Sequence, residues 1–320
     1  MKYNKTSYNM YISKDKKSLI NLNSKVTLMK IDEQGLIESK VFNSLKHPLR
    51  ATLSSNGKMI AYNNTLGHCA VHDIETGALL VKSHCLSKEG RNLYFINNDT
   101  QIISSAFGSV FILDIKRAEV KIIHHFDPPQ VIELIQVEND LFILIATIPN
   151  GKGTMIYELQ CNKESDNIKE IATVCDYSLW ISSFAKTDNE VYFYANNTNN
   201  EIDDCLSFCF KEDSIYRYNI DKMTSESYIS IQKDLGINLD TYEHGYFTCI
   251  NISNNRQYAL LGFSKSLIVV DLIGKRLLKT IKIMDLCNLY FLESDAKILL
   301  ATWKTIKIIS FSDILTMDEC

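Results

Sequence analysis

The sequence predicts an all-β fold, a single β-propeller of seven four-stranded blades covering residues 1–320. Three observations predict it. A polar turn recurs seven times along the chain, most copies at roughly 40 to 45 residues, which is the period of a four-stranded blade. A short β-rich run follows each turn. A further run then closes on an apolar residue and Asp.

The polar turns fall at residues 13–17, 54–58, 97–100, 137–140, 185–189, 253–256 and 293–297. Ser, Asn, Asp and Gly dominate them because Asx side chains bond their own backbone and tolerate left-handed angles. The second strands of the blades read Met59-Ile60-Ala61-Tyr62, Gln101-Ile102-Ile103-Ser104, Val191-Tyr192-Phe193-Tyr194 and Ile298-Leu299-Leu300-Ala301. Third strands end on apolar-Asp: Lys30-Ile31-Asp32, Val71-His72-Asp73, Ile112-Leu113-Asp114, Asn219-Ile220-Asp221 and Val269-Val270-Asp271. A reversal such as Glu75-Thr76-Gly77 or Ile273-Gly274-Lys275 leads into the fourth strand. The blades are placed at 8–45, 46–87, 88–127, 128–174, 175–234, 235–284 and 285–320. The last has three clear strands, so residues 1–7 or the tail around Ile314-Leu315 are expected to supply its outer strand, since an unpaired edge invites aggregation.

This order of elements resembles the WD-repeat and YVTN-type propellers over nearly the whole chain. It departs from the strict signature of the first group: no Trp-Asp dipeptide occurs, and the Gly67-His68 pair lies between second and third strands instead of before a blade. The resemblance implies a framework that hosts binding, scaffolding and enzymatic roles alike, so function has to be argued from sites.

A net charge of -4 provides no basic excess for phosphate contacts, which argues against general nucleic-acid binding. The apolar stretch 131–148 is interrupted by Glu133, Gln136, Glu138, Asn139 and Asp140, so no membrane span is expected. The polar, Lys-rich start of the sequence does not read as a secretory signal. Nine irregularly spaced cysteines form an odd set without disulfide spacing, so reduced thiols and a cytoplasmic location are expected.

Loops joining second to third strands, and fourth strands to the next blade, gather on one face of a propeller. In the fifth blade the stretch 196–210 replaces a loop of a few residues, and long loops on rigid scaffolds commonly carry recognition. Its candidates for contact with a partner protein are Asn200, Asp203, Asp204, Leu206, Phe208 and Phe210. The same run is apolar enough to dock on its own propeller. His125 and Phe126, Tyr242 and Trp303 are placed on the same face as further contacts. The plainer reading of the His125-Phe126 and Tyr242 stretches is as a blade connection and a linker, whereas Trp303 reads as an anchor and Trp180 as core.

Aligning the blades by their turns brings Asn9, Arg50, Asn92, Glu133, Ser183, Thr248 and Asn288 to one level of the inner strands. Arg50, Asn92 and Glu133 are the candidates there for a small ligand; ordered water is the alternative occupant. His68, Cys69, His72, His84 and Cys85 are metal-ligating types. Hairpin pairing sets His68 opposite His84, but strand alternation sends Cys69 to the other face, so no metal or other cofactor is expected. The sequence has no Gly-rich phosphate loop, nucleophile elbow or paired-His protease helix. The function expected is therefore a non-enzymatic interaction or scaffold module that holds another protein. A small-molecule-binding or lactonase-like hydrolytic propeller using Arg50 and Glu133 is the alternative.

Overall fold

The computed structural model describes residues 2–3, 9–32, 35–84, 92–106, 108–127, 131–138, 140–147, 154–161, 166–175, 179–197, 213–239, 242–292 and 295–317. Among them the chain is all-β, with seven four-stranded antiparallel sheets and one short helix, and its fold is a β-propeller.

Strand β1 (Lys2–Tyr3) stands apart from its neighbours in sequence. The first sheet holds β2 (Asn9–Ile12), β3 (Ser18–Leu22), β4 (Val26–Asp32) and β5 (Gly35–Phe42). The second holds β6 (Pro48–Leu53), β7 (Met59–Asn64), β8 (His68–Asp73) and β9 (Leu79–His84). The third holds β10 (Leu93–Ile96), β11 (Gln101–Ala106), β12 (Ser109–Asp114) and β13 (Glu119–His125). The fourth holds β14 (Val131–Gln136), β15 (Leu141–Thr147), β16 (Thr154–Cys161) and β17 (Asp166–Cys175). The fifth holds β18 (Leu179–Lys186), β19 (Glu190–Asn197), β20 (Asp213–Asn219) and β21 (Thr224–Ser230). The sixth holds β22 (Phe247–Ile252), β23 (Tyr258–Phe263), β24 (Ser266–Asp271) and β25 (Arg276–Lys282). The seventh holds β26 (Leu286–Phe291), β27 (Lys297–Thr302) and β28 (Ile306–Ser310), and β1 completes it.

Lys2 pairs with Lys307 and Tyr3 with Ile306, so the outer strand of the seventh sheet comes from the other end of the sequence. The tail does not supply it. Ile314 lies instead in helix α1 (Phe311–Thr316), which buries Phe311 and Ile314 in a core shared with Leu289, Phe291 and Ile298.

Middle strands such as β7, β12 and β24 carry apolar runs because both their faces are covered, and alternation deals their side chains to two different cores. In β7, Ile60 and Tyr62 join a core with Ile20, Leu28 and Phe42, whereas Ala61 between them joins one with Phe95, Ile102 and Phe111. In β12, Phe111 and Leu113 face that second core, and Val110 and Ile112 face a third with Leu134 and Phe142. In β24 the same division sends Leu267 and Val269 one way and Ile268 and Val270 the other. Fourth strands such as β13 are open to solvent along most of their length.

Packing divides the chain into two compact units. One comprises Met1–Met10, Ile31–Leu36 and Leu179–Cys320, and its cores are those of the fifth, sixth and seventh sheets. The other comprises Tyr11–Lys30 and Ile37–Ser178, with cores drawn from the first four sheets.

The Asp that ends a third strand caps the turn after it. Asp32, Asp73, Asp114 and Asp271 each accept, through Oδ1, the amide three residues on, at Gly35, Thr76, Arg117 and Gly274. In the fifth sheet the capping residue is Asn219, whose Oδ1 accepts the Lys222 amide at 2.9 Å. The strand therefore ends at Asn219 and not at Asp221, as the apolar-Asp pattern suggests; Asp221 instead accepts the Asn189 side-chain amide.

Candidate functional site

The loop ends of the sixth and seventh sheets form one backbone-bonded surface. Before β22, Gly245 takes a left-handed φ of +79°, and a Cβ there would collide with Ser264 Oγ, so glycine suits this approach. The Ser264 amide donates to the Tyr246 carbonyl, and Lys265 donates to the His244 carbonyl from its amide and to the Tyr242 carbonyl from Nζ. The next connection joins on when Ile283 donates to Lys265 and Leu286 to Ser264. Trp303, in the turn between β27 and β28, closes the series by donating to the Asp285 carbonyl at 3.0 Å.

Four large side chains are exposed along these loops: Tyr242 (83 %), Tyr246 (77 %), Trp303 (56 %) and Met284 (53 %). His244, between Tyr242 and Tyr246 in sequence, is buried, with Nδ1 at 2.9 Å from Ser266 Oγ. Lys265 Nζ lies 5.3 Å from the centre of the Tyr242 ring, within cation–π range. Lys304 pairs with Asp285 at 3.8 Å. Tyr242 and Trp303 are among the residues that the sequence singles out; Tyr246, which closes the same Tyr-Glu-His-Gly-Tyr run, and Met284 are exposed beside them.

A second concentration of polar groups lies on the first strands of the other unit. The Asn92 amide donates to Glu133 Oε2 at 3.3 Å and to the Leu134 carbonyl at 3.1 Å, and the Tyr94 hydroxyl donates to the same carbonyl at 3.1 Å. Glu133 is only 7 % exposed. Tyr11 and Arg50 belong to the same electrostatic neighbourhood. Burial pushes the Tyr94 phenol up, and the Glu133 charge adds to it. Burial also raises Tyr11, against the lowering effect of the Arg50 guanidinium. Both phenols are therefore protonated donors near neutrality. Arg50, Asn92 and Glu133, separated by about 40 residues at each step, thus share one site with two tyrosines that the alignment of levels passes over.

A copy of this arrangement exists in the unit that holds the seventh sheet. Asn288 donates to Asn9 Oδ1 at 3.1 Å and to the Met10 carbonyl at 3.2 Å, and the Tyr290 hydroxyl donates to that carbonyl at 2.7 Å. The signal was available: Asn-Leu-Tyr-Phe occurs at 92–95 and again at 288–291. In each copy Asn and Tyr project two residues apart from one side of a strand and converge on one carbonyl.

The remaining candidates divide by burial. His125 is exposed and bonded to Ser109 Oγ at 2.9 Å. Phe126 is 4 % exposed, wedged between His124 and Tyr157, so it is a core residue and not a partner contact. Asn200, Asp203, Asp204, Leu206, Phe208 and Phe210 lie outside the described residues, as does the Trp180 side chain. His68 and His84 pair across β8 and β9 with ring centroids 4.9 Å apart, and Cys69 is buried on the opposite face. Among the described residues no three His, Cys, Asp or Glu side chains stand close enough together to hold a metal ion. Burial pushes the Cys249 and Cys287 thiols up to about 12, which leaves neither as a ready nucleophile at neutral pH.

These features define the class: a β-propeller with an exposed aromatic loop surface and polar clusters on its first strands. No protein-family model matches the chain, and no curated protein sequence matches it. Among solved structures it is similar to Kuenenia stuttgartiensis hydrazine synthase, with a TM-score of 0.73 and 10 % identity over 97 % of this chain and 96 % of that one. At that identity the likeness extends to the fold alone.

Proposed function

We propose that the chain is a non-enzymatic protein-interaction module, related to the WD-repeat and YVTN-type propellers, whose recognition surface is the loop end of the sixth and seventh sheets. The observation that supports this reading is the exposure of Tyr242, Tyr246, Met284 and Trp303 on loops whose backbones bond one another in series. Large rigid aromatics anchor interfaces because they bury much area for little lost freedom. The test is affinity capture with intact protein, with a Tyr246→Ala/Trp303→Ala variant, and with residues 198–210 shortened. The reading expects at least one partner to be lost from the double variant while its fold is kept. Retention of every partner by both altered proteins sinks it.

A second reading places a small polar ligand, or a hydrolysed substrate, at Arg50, Asn92 and Glu133. It is favoured by the joint presence of a guanidinium, a buried carboxylate and two protonated phenols on neighbouring first strands. Such a set can orient a ligand and offset developing negative charge. An Arg50→Ala/Glu133→Ala variant that keeps every ligand-induced thermal shift of the parent protein removes this reading.

A further inference from the structure

The geometry points to a two-histidine site for a divalent transition metal at the edge of the second sheet, formed by His68 on β8 and His84 on β9. The two residues are direct cross-strand partners, and their rings meet edge to face with centroids 4.9 Å apart. Directly opposed residues on antiparallel strands have their Cβ atoms about 5 Å apart on one face. The backbone therefore presents both imidazoles before any ion arrives.

Each element of the pair is fixed for its own reason. His68 opens β8 directly after the Asn64–Gly67 turn, and Asn64 Oδ1 accepts its amide at 2.9 Å, which sets where the strand begins. Asn64 in turn is buried, with its side-chain amide donating to the Lys46 carbonyl. His84 ends β9, the outermost strand of its sheet, and is exposed. One ligand thus stands on a well-anchored strand and the other on an edge strand that solvent reaches.

Neutral imidazole is the common nitrogen ligand for nickel, copper and zinc. Two such ligands on one strand pair bind as a chelate, and water completes the coordination. Bound metal ties β9 to β8 across the edge of the sheet. Cys69 takes no part, because it is buried on the opposite face beside Val71 and Phe95. His72 takes no part either, because its two ring nitrogens face Tyr62 and the Gly77 carbonyl.

The test is calorimetric titration of the untagged full chain with NiCl2 in a non-chelating buffer, with thermal unfolding as a second readout. The site is expected to bind one ion and to raise the unfolding temperature, because the ion binds the folded state. His84→Gln and His68→Gln should each weaken that event by more than the roughly tenfold that losing an outer-shell partner costs. His125→Gln, at an exposed histidine on another sheet, should leave it unchanged. His84 is exposed, so its variant keeps the fold even where His68→Gln does not. Absence of binding to the parent protein, or binding that survives His84→Gln at full strength, overturns the assignment.

Discussion

The Asp99 carboxylate in the turn of the third sheet reaches Ser55 in the turn of the second, accepting its amide at 2.9 Å and its hydroxyl at 2.8 Å, and it also accepts the Asn56 amide at 3.3 Å. The same latch recurs where Asp295 accepts the Asn254 and Asn255 amides and where Asp140 accepts the Asn97 amide. Asp99 and Asp295 hold left-handed φ values of 63° and 55°, which Asx residues adopt at less cost than most. The turn residue of one sheet thus also secures the turn of the sheet before it.

Asp99→Ala removes these bonds, leaves the partner amides without their acceptor and puts Ala at a left-handed angle. We expect it to lower unfolding free energy by about 2–3 kcal/mol. Asp99→Asn retains both the backbone preference and a side-chain acceptor, so it should cost clearly less. Urea denaturation of the two variants checks this, and equal losses would show that the carboxylate is not the latch.

His72 makes stability depend on mildly acidic pH. Its Nδ1 is 3.2 Å from the Gly77 carbonyl, an acceptor only, so Nδ1 carries the proton. Nε2 then accepts from the Tyr62 hydroxyl at 3.2 Å, and the Tyr62 oxygen accepts the Ser44 amide. Burial lowers the His72 pKa below its ordinary 6.5, so the native state favours neutral imidazole. As pH falls below 6.5 the unfolded chain takes up the proton first, and the stability present above that pH is lost as pH descends through the depressed native value. Asp73 and Asp271, held below 3.8 chiefly by backbone amide donors, lose their contribution only in a separate, lower window. Stability measured from pH 7.5 to 5 should fall for the parent protein and stay flatter for His72→Gln. Parallel curves would remove His72 as the cause.

The apolar-Asp endings of β4, β8, β12 and β24 and the apolar runs of β7, β12 and β24 are legible in the sequence because each follows from a local rule: a carboxylate caps the amide three residues on, and a strand covered on both faces has little need of a polar side. Contacts between sheets obey no such local rule. Tyr11, Tyr94 and Tyr290 look like ordinary strand aromatics until their hydroxyls are seen beside carbonyls of the next first strand. Phe126 reads as a loop residue because it follows His124-His125 and precedes two prolines, yet its ring finds Tyr157 on a neighbouring sheet. The seven-residue start and the tail compete equally on sequence for the last edge; pairing of Lys2 with Lys307 decides it.

The Asn-Leu-Tyr-Phe copies allow the shared-carbonyl arrangement to be tested. The Met10 carbonyl accepts from both Asn288 and Tyr290, so removing one donor leaves the other in place. Tyr290→Phe alone should cost about 1 kcal/mol. Asn288→Ala/Tyr290→Phe should cost more than the sum of the single changes, because only then does the carbonyl lose both donors. Strict additivity in denaturation would mean that water replaces either donor freely.

Gly262 in β23 is required by crowding and not by its backbone angle. A Cβ there would stand 2.7 Å from Cys249 Sγ, 2.9 Å from Thr248 Oγ1 and 3.2 Å from Leu289 Cδ1. Cys249 is 5 % exposed and belongs to the core with Leu260 and Leu289, so its sulfur has little room to withdraw. Gly262→Ala is expected to cost about 1–3 kcal/mol through overpacking. Cys249→Ala opens space at the same point and is destabilising by itself through the cavity it leaves. Combined, the small group gained at 262 occupies part of the volume lost at 249. The double variant should therefore be more stable than the sum of the two single losses predicts. Thr248 Oγ1 still limits the rescue, so recovery should be partial. Additive losses would place the cost of Gly262→Ala in the backbone instead of in its contact with Cys249.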